Sequence, residues 1–418
     1  MFRQHQVQKC MVLAGAIIVF SVASAAEAQQ RAGERVGAPT PSERKLYAGE
    51  PLEVWRKRFG ELKPTSDYAA ILAPGLLEIV ADREAPDSIR ERAATTLGRI
   101  GKPAVAAVPV LGEILADSNE PLLNRVWAGR ALGYFGKYAA PVADELIAFL
   151  FDENVPLQHR PVPVEALGLI GSSHPNVVPA LLRLFHYSPP ESGHLSSGDA
   201  TVLRELATEA FALMKEEADV VAPLLIRAIR DPSETESIRR KSVVAIGQIG
   251  PNAAIAIPVL LESLEFDPSE AVRDEAAGAL AKIGEPAYFV MQRYLAHPDQ
   301  TVRWRMAVAC GEIKAAPTNI VAAVQQLAAD PEEIVRISAV ESLNNLAAHR
   351  TQFLPTAIQL LTSEDRQIRM RAMRLIVELR PLSASEIATI EELASGDVQA
   401  TSRIARLLLK KLKDSPND

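Results

Sequence analysis

An arginine returns along this chain at nearly constant intervals. It stands at Arg90, Arg125, Arg160, Arg204, Arg239, Arg273, Arg303, Arg336 and Arg369, so that one copy follows another at almost the same spacing, with one long step between Arg160 and Arg204. A period of this length marks an array in which each copy is one supersecondary unit. The rest of the unit keeps register with the arginine. Seven positions after it come Leu97, Leu132, Leu167, Phe211, Ile246, Leu280, Cys310, Leu343 and Ile376. Three positions after it come Ala93, Ala128, Ala207, Ala276, Ala339 and Ala372, with Pro163, Ser242 and Met306 in the other copies. Positions +3 and +7 share one face of a helix. Position +8 holds Gly98, Gly133, Gly168, Gly247 and Gly311. Glycine inside a helix costs ~0.5–1 kcal/mol relative to alanine, so its return implies that another backbone passes close by. Position +19 holds Pro109, Pro179, Pro223, Pro258 and Pro355. Each is expected in the first turn of a second apolar helix, where a missing N–H is harmless. The unit is therefore helix A, a short turn and helix B, and the fold class is an all-α solenoid.

Ten such hairpins fit, at 51–82, 88–117, 123–152, 158–185, 202–231, 237–266, 271–298, 301–329, 334–362 and 367–396. In the first, Trp55 takes the arginine position, and "PGLLEIVAD" from Pro74 mirrors "PVLGEILAD" from Pro109. An atypical first copy suits an end with no neighbour. The solenoid spans 51–397, and a C-terminal capping helix with its tail occupies 398–418. In that helix Ile404, Leu407, Leu408 and Leu412 are expected to cover the last hairpin, with Arg403, Arg406, Lys410, Lys411 and Lys413 in water. Residues 29–50, polar and rich in Pro and Gly, read as a flexible linker.

The stretches "DSIRERAATTLGRIG", "EAVRDEAAGALAKIG" and "QTVRWRMAVACGEIK" resemble the HEAT-repeat superfamily. They are most similar to the short HEAT-like repeats of the bilin-lyase type, which run D-x-x-V-R-x-x-A-x-x-A-L-G-x-I-G before a Pro-x-Leu. The resemblance covers about 51–397. It implies that the arginines bridge adjacent repeats and that the B helices line a concave surface. It is specific for fold and unspecific for activity, because function lives in sites placed on a fold.

Residues 1–28 read as a secretory signal peptide. Arg3 and Lys9 precede the apolar run "MVLAGAIIVFSVASA", and "AEA" ends at Ala28. The expected location is periplasmic or extracellular after cleavage near Ala28. The alternative is an uncleaved N-terminal membrane anchor, and a membrane is expected as a partner only in that case. Loss of Arg3, Lys9 and Glu27 would take 45 basic and 52 acidic residues to 43 and 51, from a net charge of −7 to −8. An acidic chain is a poor binder of nucleic acid, whose affinity comes largely from neutralised phosphates. Cys310 would be the one remaining cysteine, which excludes an intramolecular disulfide.

Several residues invite a functional reading. The nine arginines form a ladder read as structural, with Asp87, Glu120, Glu236, Glu270, Asp299, Glu333 and Asp365 just upstream as partners. Arginine's planar fork suits carboxylates and turn carbonyls. Cys310 sits at the core position +7, where a small thiol is packing. His159, His174, His186 and His194 cluster near Glu191 and Asp199, but their spacing matches no ligand signature, so no metal site is assigned. No cofactor and no catalytic residue are assigned either. HEAT-like lysine-derivative hydroxylases carry His-Glu dipeptides, and this chain has none. The long step between Arg160 and Arg204 places an insertion at 186–200, and long loops on regular scaffolds often carry function. Position +23 on the B helices is mostly polar: Glu113, Arg183, Arg227, Glu262 and Gln359. The candidate partner-binding residues are Arg183, Arg227, Arg230, Glu262, His186 and His194. Mixed charge suits a protein or peptide partner. The expected function is an exported scaffold for protein–protein interaction without catalysis. The alternatives are a lyase or isomerase acting on a bound chromophore or cofactor, and a membrane-anchored structural component of the cell envelope.

Overall fold

The computed structural model describes residues 45–61, 67–187, 196–346 and 352–414. The signal peptide and residues 29–44 of the linker lie outside these. Antiparallel helical hairpins follow one another: α1 (Leu52–Glu61) with α2 (Asp67–Ala81), α3 (Asp87–Ile100) with α4 (Ala107–Ala116), α5 (Leu122–Phe135) with α6 (Ala143–Phe151), α7 (Pro161–Ile170) with α8 (Val177–Phe185), and α9 (Ser197–Phe211) with α10 (Ala218–Arg230). Then come α11 (Glu236–Ile249) with α12 (Ile257–Phe266), α13 (Glu270–Ile283) with α14 (Glu285–Tyr294), α15 (Gln300–Cys310) with α16 (Thr318–Gln326), α17 (Glu333–Asn345) with α18 (Leu354–Gln359), and α19 (Arg366–Glu378) with α20 (Ala384–Ser395). A final helix, α21 (Gln399–Asp414), closes the stack. Odd-numbered helices are the A helices and pack on one another from repeat to repeat.

The helix face read from the period is the core. All nine residues at +7 are buried, as are the alanines at +3. The +8 glycines mark the closest approaches. A Cβ on Gly98 would stand 2.7 Å from the Ala131 carbonyl oxygen, one on Gly247 3.0 Å from Ala279 Cα, and one on Gly311 2.8 Å from Ser342 Cα. Each clash is with the A helix of the next repeat, so glycine sets the spacing of the stack. At +11 a second glycine ends several A helices. Gly284, at φ +80°, alone separates α13 from α14. That single-residue turn accounts for the shortest step of the ladder, from Arg273 to Arg303. The neighbouring repeat instead spends Gly250–Ala256 on a 3-10 turn.

Four features differ from the sequence reading. The linker does not run to residue 50: Leu46–Tyr47 (β1) and Glu50–Pro51 (β2) form a two-stranded ribbon turning at Ala48 and Gly49. Buried Trp55 donates its indole N–H to the Tyr47 carbonyl at 3.1 Å, and the Tyr47 hydroxyl donates to Asp82 at 2.7 Å. Apolar and hydrogen-bonded contacts thus order the linker's end. The insertion at 186–200 is not all loop. Ser197–Ala200 are the first turn of α9, capped by Ser196, whose hydroxyl accepts from the Asp199 N–H at 3.2 Å. Residues 188–195, including His194, lie outside the described residues. Pro109, Pro179, Pro258 and Pro355 do lie in the first turn of a B helix, but Pro223 is the sixth residue of α10. In α21, Leu407 is 40% exposed, and Ala405 occupies the buried face beside Ile404 and Leu408. Pro161 and Pro163 stand in the first turn of α7, which is a full turn shorter than α3.

Candidate functional site: the inter-repeat ladder and the B-helix surface

The ladder arginines tie one hairpin to the next, some through turn carbonyls and some through acids, and the acids are mostly not those expected. Buried Arg90 forks onto Glu120 at 2.9 and 3.2 Å and donates from Nε to the Val80 carbonyl at 3.1 Å. Arg125 donates to the Leu115 carbonyl at 2.9 Å and stands 3.6 Å from Asp152. Arg160 donates to the Val155 and Asp152 carbonyls at 3.3 Å. Arg204 reaches the Phe185 carbonyl and Glu234, and Arg239 pairs with Asp267 at 3.0 Å. Arg273 donates to the Asp267 carbonyl, and Arg303 forks onto Asp330 at 2.8 and 2.9 Å. Arg336 and Arg369 donate to the Asp330 and Ser363 carbonyls at 2.7 and 2.6 Å. The expected partners Asp87, Glu270 and Glu333 make only looser contacts to the arginine one turn on, at 3.6–3.7 Å. Where an arginine pairs closely with an acid, as Arg90, Arg204, Arg239 and Arg303 do, the acid lies well downstream, in the turn that begins the next repeat.

That turn contains a second ladder which the arginine register overlooked. Asp82, Asp117, Asp152, Asp231, Asp267 and Asp330 follow the C-termini of their B helices, and each accepts from the backbone N–H two positions on, at 2.9–3.1 Å. His297 Nδ1 and Ser363 Oγ take the same place, each at 3.1 Å. Asx-type turns stop a helix while satisfying the chain's own N–H groups. One turn can also collect two arginines: Asp267 receives Arg239 on its carboxylate and Arg273 on its carbonyl. Asp330 serves Arg303 and Arg336 in the same way. Where Ser363 replaces the acid, the buried Nε of Arg336 has no partner among the described residues. The sequence signal was present, since Asp82, Asp117 and Asp152 keep the same period as the arginines. It went unseen because aspartate is common in loops.

The ladder consumes its own charges, and the B helices carry exposed polar side chains of their own. Glu113, Arg183, Arg227, Glu262 and Gln359, all at +23, are exposed. The structure joins some of the candidate residues and separates others. Arg230 donates to Glu262 at 3.1 Å across neighbouring repeats. Arg183 lies over the Phe151 ring at 4.2 Å, and His186 meets Phe185 edge-on at 5.2 Å between centroids. Two hollows open between consecutive B helices at equivalent positions. One, of about 480 Å³ between α4 and α6, is lined by Leu115, Arg125, Asp144, Glu145, Phe149 and Asp152. The other, of about 250 Å³ between α10 and α12, is lined by Ile229, Arg230, Pro232, Val259, Glu262 and the 74%-exposed Phe266, which sequence reasoning missed. Each has a ladder arginine, Arg125 or Arg239, in its wall. Cys310 is inside the core, where burial pushes its thiol up to about 12. Among the described residues no group of three His, Cys, Asp or Glu side chains gathers as metal ligands would.

A stack of hairpins joined turn to turn in this way is an α-solenoid. The HEAT repeats family matches residues 194–281, 222–309, 257–344 and 289–372, so the likeness runs through the chain from 194 to 372. No curated protein matches the chain. Among solved structures it is similar to importin beta, with 13% identity over 83% of this chain and 53% of that one, at a TM-score of 0.41. The chain thus spans about half the length of importin beta. It is similar to the CpcE–CpcF complex of phycocyanin lyase from Nostoc sp. PCC7120, with 22% identity over 65% and 94% of the two chains at a TM-score of 0.32. It is also similar to human deoxyhypusine hydroxylase, with 22% identity over 68% and 99% at a TM-score of 0.29. These likenesses are of fold.

Proposed function

We propose that this protein is an exported scaffold that binds a protein or peptide partner along its B-helix surface and performs no chemistry of its own. One observation carries the reading. The ladder side chains are engaged inside the stack, while the B helices present exposed charged residues in register beside hollows with apolar walls. Apolar anchors in pockets, rimmed by charges that set specificity, are the elements of a protein-recognition surface. The segment 1–28 supports export. The experiment is capture of partners from the native envelope fraction by wild type and by the double variant Arg227→Glu/Arg230→Glu, read by mass spectrometry. A partner held by wild type and lost from the variant supports the surface. A turnover abolished by one polar substitution overturns the non-catalytic reading. Export is read from the N-terminal residue of the purified protein: Gln29 means cleavage, and Met1 means an anchor.

A further inference from the structure

The edge of the stack where A helices turn into B helices carries a charge asymmetry of its own. The turns at 99–106, 134–142 and 169–176 contain no Asp or Glu, in a chain of net charge −7. They do contain Arg99, Lys102 and Lys137, all exposed. Neither lysine is ion-paired with a described residue. Of the acids that follow these turns, Asp144 accepts from Asn176 at 2.9 Å and faces His174 at 3.8 Å, Glu217 accepts from the Ser172 N–H at 2.6 Å, and Glu145 lines the hollow between α4 and α6. Between the cations stand apolar and amphipathic side chains turned to solvent: Val105 at 43%, Tyr134 at 46%, Tyr138 at 36% and Leu169 at 41%. These turns are contiguous. The Arg99 guanidinium lies 5.5 Å from the Tyr134 ring centroid, and a Cβ on Gly136 would stand 3.8 Å from the Leu169 carbonyl. Further along the same edge acids appear, with Glu216, Glu217 and Asp219 beside Lys215 in the fifth hairpin and Glu285 in the seventh, while the turn of the sixth, Gly250–Ala256, carries neither acids nor cations.

We infer that the A–B turn edge of the second to fourth hairpins docks on an anionic phospholipid bilayer. Tyrosines with a few aliphatic side chains and lysines, free of acids, form the composition that settles at a lipid headgroup layer. The charge is complementary to anionic lipid, and the exposed residues follow one another along a single edge of the stack. This surface is separate from the B-helix surface, so either reading can fail without the other.

The test is co-sedimentation of the purified protein with phosphatidylglycerol-containing vesicles and with pure phosphatidylcholine vesicles, using wild type, Lys102→Glu/Lys137→Glu, Tyr134→Ser/Tyr138→Ser and Arg227→Glu. All four share one N-terminus, so differences between them read the edge alone. Wild type is expected to bind the anionic vesicles and to release with added salt. Reversing both lysines should weaken binding by at least about tenfold, since each cation near such a surface contributes roughly fivefold. The tyrosine variant should also bind more weakly than wild type, and Arg227→Glu should bind like it. Equal binding to both vesicle types, no binding, or a lysine variant that binds like wild type would overturn the proposal. So would a wild-type dimer that the lysine reversal dissociates, since the edge would then serve a second copy of the chain. Unchanged far-ultraviolet circular dichroism shows that the variants are folded.

Discussion

Glu120 shows how much one ladder position depends on its partner. The Arg90 guanidinium and the Asn124 amide hold its carboxyl below the usual value of 4.5 against the opposing effect of burial. A carboxyl lowered in the folded state contributes stability that is complete above its unfolded value and is lost as pH falls through its folded one. Acid unfolding of wild type should therefore include a component below about pH 4.5 that vanishes in Glu120→Gln. Arg90→Ala leaves that buried carboxylate with the Asn124 amide and only the exposed Arg83 guanidinium, at 3.8 Å, and should cost about 3 kcal/mol in urea unfolding at pH 7. At the same scale, Cys310 should react with a thiol reagent at pH 8 only as fast as the protein unfolds, because the thiolate is the nucleophile and burial raises the thiol to about 12. Reaction at the rate of a free cysteine would mean that the +7 position is not core.

Glycine makes opposite predictions on two A helices. Replacing a helical glycine by alanine is worth up to about 1 kcal/mol in propensity. At Gly98 the new methyl would meet the Ala131 carbonyl at 2.7 Å and Tyr134 Cβ at 3.0 Å, and overpacking costs about 1–3 kcal/mol. At Gly278 it would meet only the Glu312 carboxylate, at 4.0 Å. Gly98→Ala should thus lower the melting temperature, and Gly278→Ala should hold or raise it. If both moved together, backbone proximity would not be what sets the repeat spacing. Helix orientation is tested by a second pair. Leu280→Asp puts a carboxylate at a fully buried position and should cost about 4 kcal/mol or more, while Arg227→Ala should stay within about 0.5 kcal/mol of wild type.

A solenoid's stability is close to a sum of repeats and nearest-neighbour interfaces. The last interface is formed by α21, whose Ile404, Ala405 and Leu408 are buried and whose Arg406 donates to the Ala394 carbonyl at 2.9 Å. Removing residues 399–418 should lower hydrogen-exchange protection first in α19 and α20 and leave α11 and α13 nearly unchanged. Equal loss along the whole chain would mean that the stack folds as one unit. The ladder crosses every interface from the second hairpin to the eighth, so a break within it should split the array into two cooperative blocks.

The repeat, its core face and the ten hairpins could be read from the sequence, because a buried helix face forces apolar residues to recur every turn and glycine wherever backbones touch. The structural role of the arginines was also legible, since one cation per repeat at fixed register has one recurring environment. Which acid each arginine meets was not. Arg239 and Asp267 lie a whole hairpin apart along the chain, and only the folding back of helix B brings the turn of the next repeat onto the guanidinium. The ordered ribbon at 45–51 escaped the reading because Tyr47 and Trp55 find each other through packing, not periodicity. The two hollows and the acid-free turn edge belong to the tertiary structure alone. Each is assembled from residues in separate repeats, and their proximity is created by the stacking that buries the core.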